Sequence, residues 1–350
     1  MKQKQQKKFC CFLFIINTLT SHQFQNSNFE NSIKNKSVTF ARHFYVEQHC
    51  NNFYNILYIK DITLHNFIKA RKLTMKTFNK YIRKDSTALI TGASSGMGLE
   101  YADQLAKSGC NLLIVSNEEE KLNTVAERLQ NEYHVKVTPK YQDLAKQDAA
   151  NELFDFCQQN NIQVDILINN AGIFFFKELN SATIEKASAM LMLHVYTPTR
   201  LCSLFGDEMK KRRYGYILTI SSVTSTMAIP GLTMYAATKA YLKSFMKSLY
   251  LETKQYNVHT TVVCPGAVDT PLYNISPKYN GLMRFGVKVR AVYPPELLVN
   301  KALKAMFRKR RCKTPGFINL LWPPLVNAIP KGIVHKIWLK ICKTENEKNK

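Results

Sequence analysis

The sequence predicts an α/β domain built on a doubly wound parallel sheet and preceded by an N-terminal extension. Three observations predict it. From Ser86 onward, short apolar runs alternate with helical stretches of 12 to 16 residues, the pattern of βαβ units. The runs are nearly continuous in apolar residues, as strands covered on both faces require. The first run ends in a glycine loop that opens a helix.

The elements follow in order. Thr87–Thr91 is the first strand, and Met97–Ser108 the first helix. Asn111–Ser116 is the second strand, followed by a charged helix over Glu118–Tyr133. A third strand over Val135–Tyr141 leads to Asp143 and Leu144. A helix over Gln147–Gln159 precedes a strand over Val164–Asn169. Further on, Tyr216–Ile220 is a strand and Thr233–Gln255 a helix. No composition shift marks a second domain, so one unit is expected over residues 75–330, with a basic tail over 331–350.

The first 74 residues differ. Met1–Lys8 is basic and Phe9–Ile16 is apolar, like the first two regions of a signal peptide. Eight apolar residues are too few for a bilayer, which needs about 20, and no small-residue cleavage site follows. From Asn17 to Lys72 there is no clear periodicity. Two readings stand: a poorly ordered extension, or translation from Met75, on one side, and a targeting or anchoring segment on the other.

The formal charge is +24. Charge alone speaks to non-specific attraction, to nucleic acid or to anionic lipid. The lysines are widely spread and no nucleic-acid-binding motif is present, so no nucleic-acid partner is expected. Nine cysteines include no CxxC pair, which argues against a disulfide framework and a zinc site. A reducing, cytoplasmic location is expected, and no metal.

The loop reads Thr91-Gly92-Ala93-Ser94-Ser95-Gly96-Met97-Gly98. Glycine lets the backbone approach a phosphate closely, and a helix N-terminus offers free N–H groups and a positive dipole end. A tight turn with no ligand would also use these glycines. Placement as the first βα turn of a doubly wound, Rossmann-type sheet favours a dinucleotide, because that is where such sheets bind one.

Tyr235 and Lys239 are four apart on a helix and therefore share a face. An ammonium beside a phenol favours the phenolate, which suits proton transfer near neutral pH. Such a pair is also common on solvated helices. Ser222 ends the preceding strand, 13 positions before Tyr235. It is either a turn residue or a hydroxyl that polarises a substrate oxygen.

Taken together, the TGxxxGxG loop, Asn169-Asn170-Ala171-Gly172, Ser222, Tyr235-x-x-x-Lys239 and Pro265-Gly266 resemble the short-chain dehydrogenase/reductase family over roughly Ser86 to Arg311. Within it, the stretch looks like the branch holding bacterial DltE-type reductases and long-chain 3-ketoacyl reductases. The resemblance implies an NAD(P)-dependent oxidoreductase moving a hydride between nicotinamide and a ketone or secondary alcohol. It implies that Tyr235 is the acid/base, that Lys239 lowers its pKa and binds the nicotinamide ribose, and that Ser222 holds the carbonyl oxygen. Gly92, Ser94, Ser95, Gly96, Met97 and Gly98 would line the pyrophosphate. Asp143 would contact adenine, and Asn170, Ala171 and Gly172 would flank the adenosine ribose. Pro265, Gly266 and Thr270 would lie against the nicotinamide. A homodimer or homotetramer through the helices carrying Tyr235 and His194 is also implied.

Two departures from the family stand out. A relay asparagine is expected where His194 stands. A histidine there either holds a water or carries a proton, or is an ordinary interior residue. At the end of the second strand, an acidic residue favours NAD and a basic one NADP. Here Asn117 is followed by Glu118, and Ser95 replaces a basic loop residue. Family habit leans slightly to NADP, while the acidity of Glu118–Glu120 leans against it.

Leu272, Tyr273, Ile275, Leu282, Met283 and Phe285 fall between Pro265 and Pro294, where the family covers its substrate. They suit a moderately large apolar substrate or simple packing. Phe307-Arg-Lys-Arg-Arg311 precedes apolar stretches at Pro315–Trp322 and Ile333–Ile341. Basic clusters beside aromatics suit peripheral contact with an anionic membrane, and equally a solvated helix end. A function of another class, a dinucleotide-binding regulator without turnover, is opposed by the intact Ser222, Tyr235 and Lys239.

Overall fold

The computed structural model describes residues 78–180, 183–272 and 292–346, with side chains to residue 339. The N-terminal extension, with its apolar run at Phe9–Ile16 and Met75, therefore lies outside the described residues. So do Tyr273, Ile275, Leu282, Met283 and Phe285.

Strands β1 (Thr87–Thr91), β2 (Asn111–Ser116) and β3 (Val137–Tyr141) alternate with helices α1 (Gly96–Ala106), α2 (Glu119–Tyr133) and α3 (Ala149–Gln159). Strand β4 (Val164–Asn169) leads through a loop to α4 (Ile184–Leu191), a π-helical turn (Met192–Tyr196) and α5 (Thr197–Arg212). Then come β5 (Gly215–Ile220), a 3₁₀ turn (Val223–Thr226), α6 (Thr233–Thr253) and β6 (Val258–Val263). Two short strands, β7 (Ala267–Val268) and β8 (Val292–Tyr293), pair with each other. Helix α7 (Pro295–Phe307), strand β9 (Cys312–Lys313), α8 (Phe317–Ala328) and α9 (Lys331–Asn346) complete the order.

The main sheet runs β3-β2-β1-β4-β5-β6-β9, with every pair parallel. This is a doubly wound, Rossmann-type sheet. Alternate side chains of one strand enter opposite layers, because successive Cβ atoms point to opposite faces. Ala88 and Ile90 join Tyr101, Leu105, Leu303 and Met306 under α1 and α7. Leu89 joins Leu153, Leu201, Phe205 and Met246 under α3, α5 and α6. Chain order reverses between β1 and β4, so the crevice at their C-terminal ends is the topological switch point.

Several boundaries shift from the sequence expectation for local reasons. His134 adopts a left-handed conformation with φ 56° that closes α2, so β3 starts at Val137. Its Pro139 is tolerated because β3 is an edge strand. The Asp143 carboxylate accepts from the backbone N–H of Ala145 at 3.0 Å, and that turn delays α3 to Ala149. Helix α6 yields at Thr253 to a 3₁₀ turn ended by left-handed Asn257. Residues 331–346, separated from the domain in the sequence analysis, are helical. Trp338 packs edge-on against Phe176, with ring centroids 6.0 Å apart.

Candidate active site

The glycine loop joins β1 to α1 at the switch point. Gly92 takes φ +68°, and a Cβ there would stand 2.9 Å from the Ala171 Cα. Gly98 is closer still: a Cβ would collide with the Gly92 carbonyl. Gly98 thus lets α1 start against the loop, while Ser94, Ser95, Gly96 and Met97 face the opening. Facing them is β4, where the Thr91 hydroxyl accepts from the backbone N–H groups of Asn170 and Ala171 at 2.9 and 3.0 Å. The Asn170 side-chain amide donates to the Thr91 carbonyl at 2.9 Å. Thr91 therefore clamps the two loops together; the sequence marks it only as the residue before Gly92.

Between these loops lies a cleft of about 250 Å³. Asn117 and Glu118 border it on one side, Asp143 on another, and Ala171, Gly172 and Thr270 on the far side. The buried Asn170 Oδ1 and Thr270 Oγ1 have no partner within the described protein. A nucleotide-sized cleft, a helix N-terminus and orphaned polar atoms fit a dinucleotide. The Glu118 carboxylate accepts from the Ser94 hydroxyl at 2.7 Å and pairs with Lys121. The Lys121 and Ser94 hydrogen bonds hold Glu118 below the usual carboxylate range, so it is ionised at neutral pH.

Tyr235 and Lys239 lie one turn apart on α6, both buried. The Lys239 ammonium donates to the Ile220 carbonyl at 3.0 Å and sits 5.6 Å from the Tyr235 ring centroid. Burial pushes the Lys239 pKa down to about 8. The Ser221 hydroxyl donates to the Lys239 carbonyl at 2.6 Å, fixing α6 to the end of β5. Ser222 caps the 3₁₀ turn by accepting from the Thr224 backbone N–H at 3.1 Å, and that turn lies against α6.

His194 is buried in the π-helical turn. Its Nε2 accepts from the Ile173 backbone N–H at 3.0 Å, and its Nδ1 lies 3.1 Å from the Thr238 hydroxyl. That hydroxyl donates to the Tyr235 carbonyl at 2.9 Å, so Nδ1 carries the proton and Thr238 accepts it. Both ring nitrogens are thus occupied by protein groups. Burial, then the Lys239 charge, holds the His194 pKa well below its ordinary value, and the ring is neutral. It stands edge-on to Tyr235, with centroids 5.9 Å apart. A Cβ on Gly172 would come within 2.8 Å of the His194 Nε2. The histidine ring and that glycine therefore depend on each other.

A family model described as short chain dehydrogenase matches residues 86–279. The chain belongs to the short-chain dehydrogenase family. A very-long-chain 3-oxoacyl-CoA reductase-like protein of Arabidopsis thaliana is 31% identical over 270 residues, spanning 75% of this chain and 82% of the relative. An uncharacterized oxidoreductase of Staphylococcus saprophyticus is 29% identical over 189 residues, covering 54% of this chain and 81% of the relative. Among solved structures, a short-chain dehydrogenase from Sphingobium yanoikuyae in complex with NADPH superposes with a TM-score of 0.60. It is 28% identical, over 71% of this chain and 95% of that one. As a short-chain dehydrogenase, the chain is an oxidoreductase that binds a nicotinamide cofactor and acts on alcohol and ketone groups.

In this short-chain dehydrogenase, Pro265 and Gly266 follow β6, outside the cleft lining given above. The Pro265 carbonyl accepts from the Val223 backbone N–H at 2.9 Å, next to Ser222. A Cβ on Gly266 would collide with the buried Asn319 side chain of α8. Three residues went unnoticed in the sequence: Thr238, Asn319 and Phe174, whose ring meets Tyr235 edge-on at 5.0 Å. Phe174 follows Gly172 closely in an aromatic run, Phe174–Phe176, the one local signal available. Asn319 carries none, because it reaches Gly266 across 53 residues of chain (319 − 266).

Proposed function

We propose that this enzyme reduces a ketone, or oxidises the matching secondary alcohol, on a moderately large apolar molecule, with Tyr235 as its acid/base. The observation that carries this is Tyr235 and Lys239 one turn apart on a buried helix face, beside the cleft wall that runs through Gly172. In reduction, the Tyr235 hydroxyl gives its proton to the carbonyl oxygen. Ser222 accepts from the Thr224 N–H, which leaves its own hydroxyl proton for that same oxygen. Lys239 spends one of three donors on Ile220, and the other two would be available to the nicotinamide ribose and to the phenol of Tyr235, whose ring centroid is 5.6 Å away. When bound, the nicotinamide cofactor supplies or accepts the hydride. His194 is a positioning residue. It links the loop after β4, one wall of the cleft, to the helix that holds Tyr235.

The apolar substrate is supported by Phe174 beside Tyr235 and by Leu272 at the cleft. It is also supported by relatives named as very-long-chain 3-oxoacyl-CoA reductases and by a bulky-bulky ketone specific alcohol dehydrogenase of Comamonas testosteroni, 28% identical with a TM-score of 0.60. For the cofactor, the ionised Glu118 beside Ser94 suits ribose hydroxyls and repels a 2′-phosphate. NAD(H) is therefore the preferred form, against the family's lean to NADP. A panel of small and bulky ketones, read by the absorbance of the reduced nicotinamide with each cofactor, tests all of this. Bulky ketones with NADH should give the highest kcat/KM; no turnover of any ketone with either cofactor would overturn the proposal.

Helix α8 exposes Phe317 (73%), Leu320, Leu321 and Leu325 and follows the exposed basic run Arg308–Arg311 in the sequence. No helix among the described residues is long and apolar enough to cross a membrane. This face supports peripheral contact with an anionic membrane. Co-sedimentation with anionic but not neutral vesicles is the expected result, lost in Phe317→Ser/Leu321→Ser. Exposed Leu191, Tyr196 and Tyr241 on the α4–α6 side support a homodimer or homotetramer, which light scattering measures.

A further inference from the structure

Helices α8 and α9 lie beyond residue 279, where the match to the family model ends, yet both fasten to the chain between Ser222 and Tyr235. Near the start of that segment, the Asn327 side-chain amide of α8 donates to the Thr226 carbonyl at 2.7 Å. Near its end stands Gly231, with φ +80°, a backbone conformation that glycine adopts without steric cost. A Cβ there would come within 2.8 Å of the Phe176 ring and 2.9 Å of the Trp338 ring of α9. Both rings therefore lie close against the Gly231 backbone.

The same two rings meet each other edge-on, with centroids 6.0 Å apart. The Lys177 backbone N–H donates to the Gly231 carbonyl at 3.0 Å. These contacts join α9, the loop after β4 and the segment before α6 at one point. That loop also carries Phe174, whose ring stands edge-on to Tyr235 at 5.0 Å. Val334, one helical turn before Trp338, is buried, while Ile333 and Leu339 are exposed. Trp338 thus shares the inward face of α9.

We propose that Trp338 is a positioning residue that sets the enzyme's preference for bulky ketones. It holds the Phe174–Lys177 loop against Gly231 through Phe176, and so fixes the apolar wall that Phe174 presents beside Tyr235. The effect on turnover rests on the ketone reading given above, whereas the packing of α9 does not.

The preference follows from what each substrate touches. A small ketone needs only the groups that hold its oxygen, Ser222 and Tyr235, and the cofactor. A bulky ketone extends past Tyr235 and leans on Phe174. A wall held in place beforehand costs the substrate no ordering of the loop, whereas a loose one must be ordered on binding. Removing the brace therefore weakens the bulky ketone selectively.

The test measures kcat and KM of the full-length protein for dicyclohexyl ketone and for acetone, with cofactor affinity by fluorescence titration. Trp338→Ala should lower kcat/KM for dicyclohexyl ketone at least about tenfold, chiefly through KM, and leave that for acetone within about twofold, since loss of a hydrophobic contact is worth roughly 10- to 200-fold in discrimination. Cofactor affinity should not change. Trp338→Phe should restore most of the preference, because a ring again meets Phe176. Phe176→Ala/Trp338→Ala should do no more harm than the worse single change, because both remove the same contact. Trp338→Leu carries the comparison if Trp338→Ala does not fold. Equal losses for both ketones would reduce Trp338 to a structural residue and overturn the proposal, as would an unchanged ratio. If neither ketone is turned over, Trp322→Phe leaves Trp338 as the sole tryptophan of the chain, and its emission is titrated with dicyclohexyl ketone. A saturable change then keeps Trp338 beside an apolar ligand while the ketone reading falls; no change overturns the proposal as well.

Discussion

Replacing His194 by asparagine should make the enzyme less acid-sensitive, by an amount that follows from the burial of the ring. In the folded chain, burial first and the Lys239 charge second keep the imidazole neutral well below its ordinary pKa. In the unfolded chain it protonates near pH ~6.5. Below that value the unfolded state binds more protons, so stability falls as pH falls. The contribution is fully present above about pH 6.5 and is lost on descent toward the folded-state pKa. One unit below the unfolded pKa, the loss is ~1.4 kcal/mol. In a domain of this size that lowers Tm by roughly 3–6 °C. His194→Asn has no such group. It should start about 1 kcal/mol less stable, through the weakened link to Thr238, and then lose less between about pH 7.5 and about pH 5.5. His259, whose pKa burial holds down at about 4, is present in both proteins and cancels. The assay is urea denaturation at the two pH values for both proteins. Equal losses within error would show that His194 is charged in the fold, and the argument from its two hydrogen bonds would fail. The same reasoning places any acidic limb that His194 puts on the pH–rate profile well below pH ~6.5.

Further predictions concern the site and the chain ends. Tyr235→Phe should lower kcat by at least ~100-fold, the usual worth of general acid catalysis, while cofactor affinity by fluorescence titration stays near wild type. Glu118→Gln should raise kcat/KM for NADPH relative to NADH, since it removes the negative charge beside the Ser94 hydroxyl; an unchanged ratio would refute the role given to Glu118. Gly98→Ala, which drives a Cβ into the Gly92 carbonyl, should abolish soluble expression or cofactor binding, read by gel filtration and titration. A chain begun at Met75 should fold and turn over. One begun at Ser86 should be destabilised by several kcal/mol, because it loses the buried Phe78 and the Tyr81 ring stacked on Phe307 at 5.3 Å.

By itself, the sequence determined the layered fold and the identity of the chemistry. The β1, β2 and β4 boundaries match the sequence expectation residue for residue, because strands covered on both faces read as mostly apolar runs flanked by polar residues. The glycine loop and the Tyr235–Lys239 pair were legible because each lies within one turn or one loop, where spacing alone sets proximity. Tertiary structure decided what depends on approach across the chain. That Gly172 leaves room for His194, that Thr238 and Ile173 occupy its two nitrogens, and that Asn319 fills the space beside Gly266 are facts of packing between distant segments. A residue's pattern sets which face of its element it occupies. Its neighbour on that face is set by how the layers close, and the charge state of a buried group such as His194 follows from that closure.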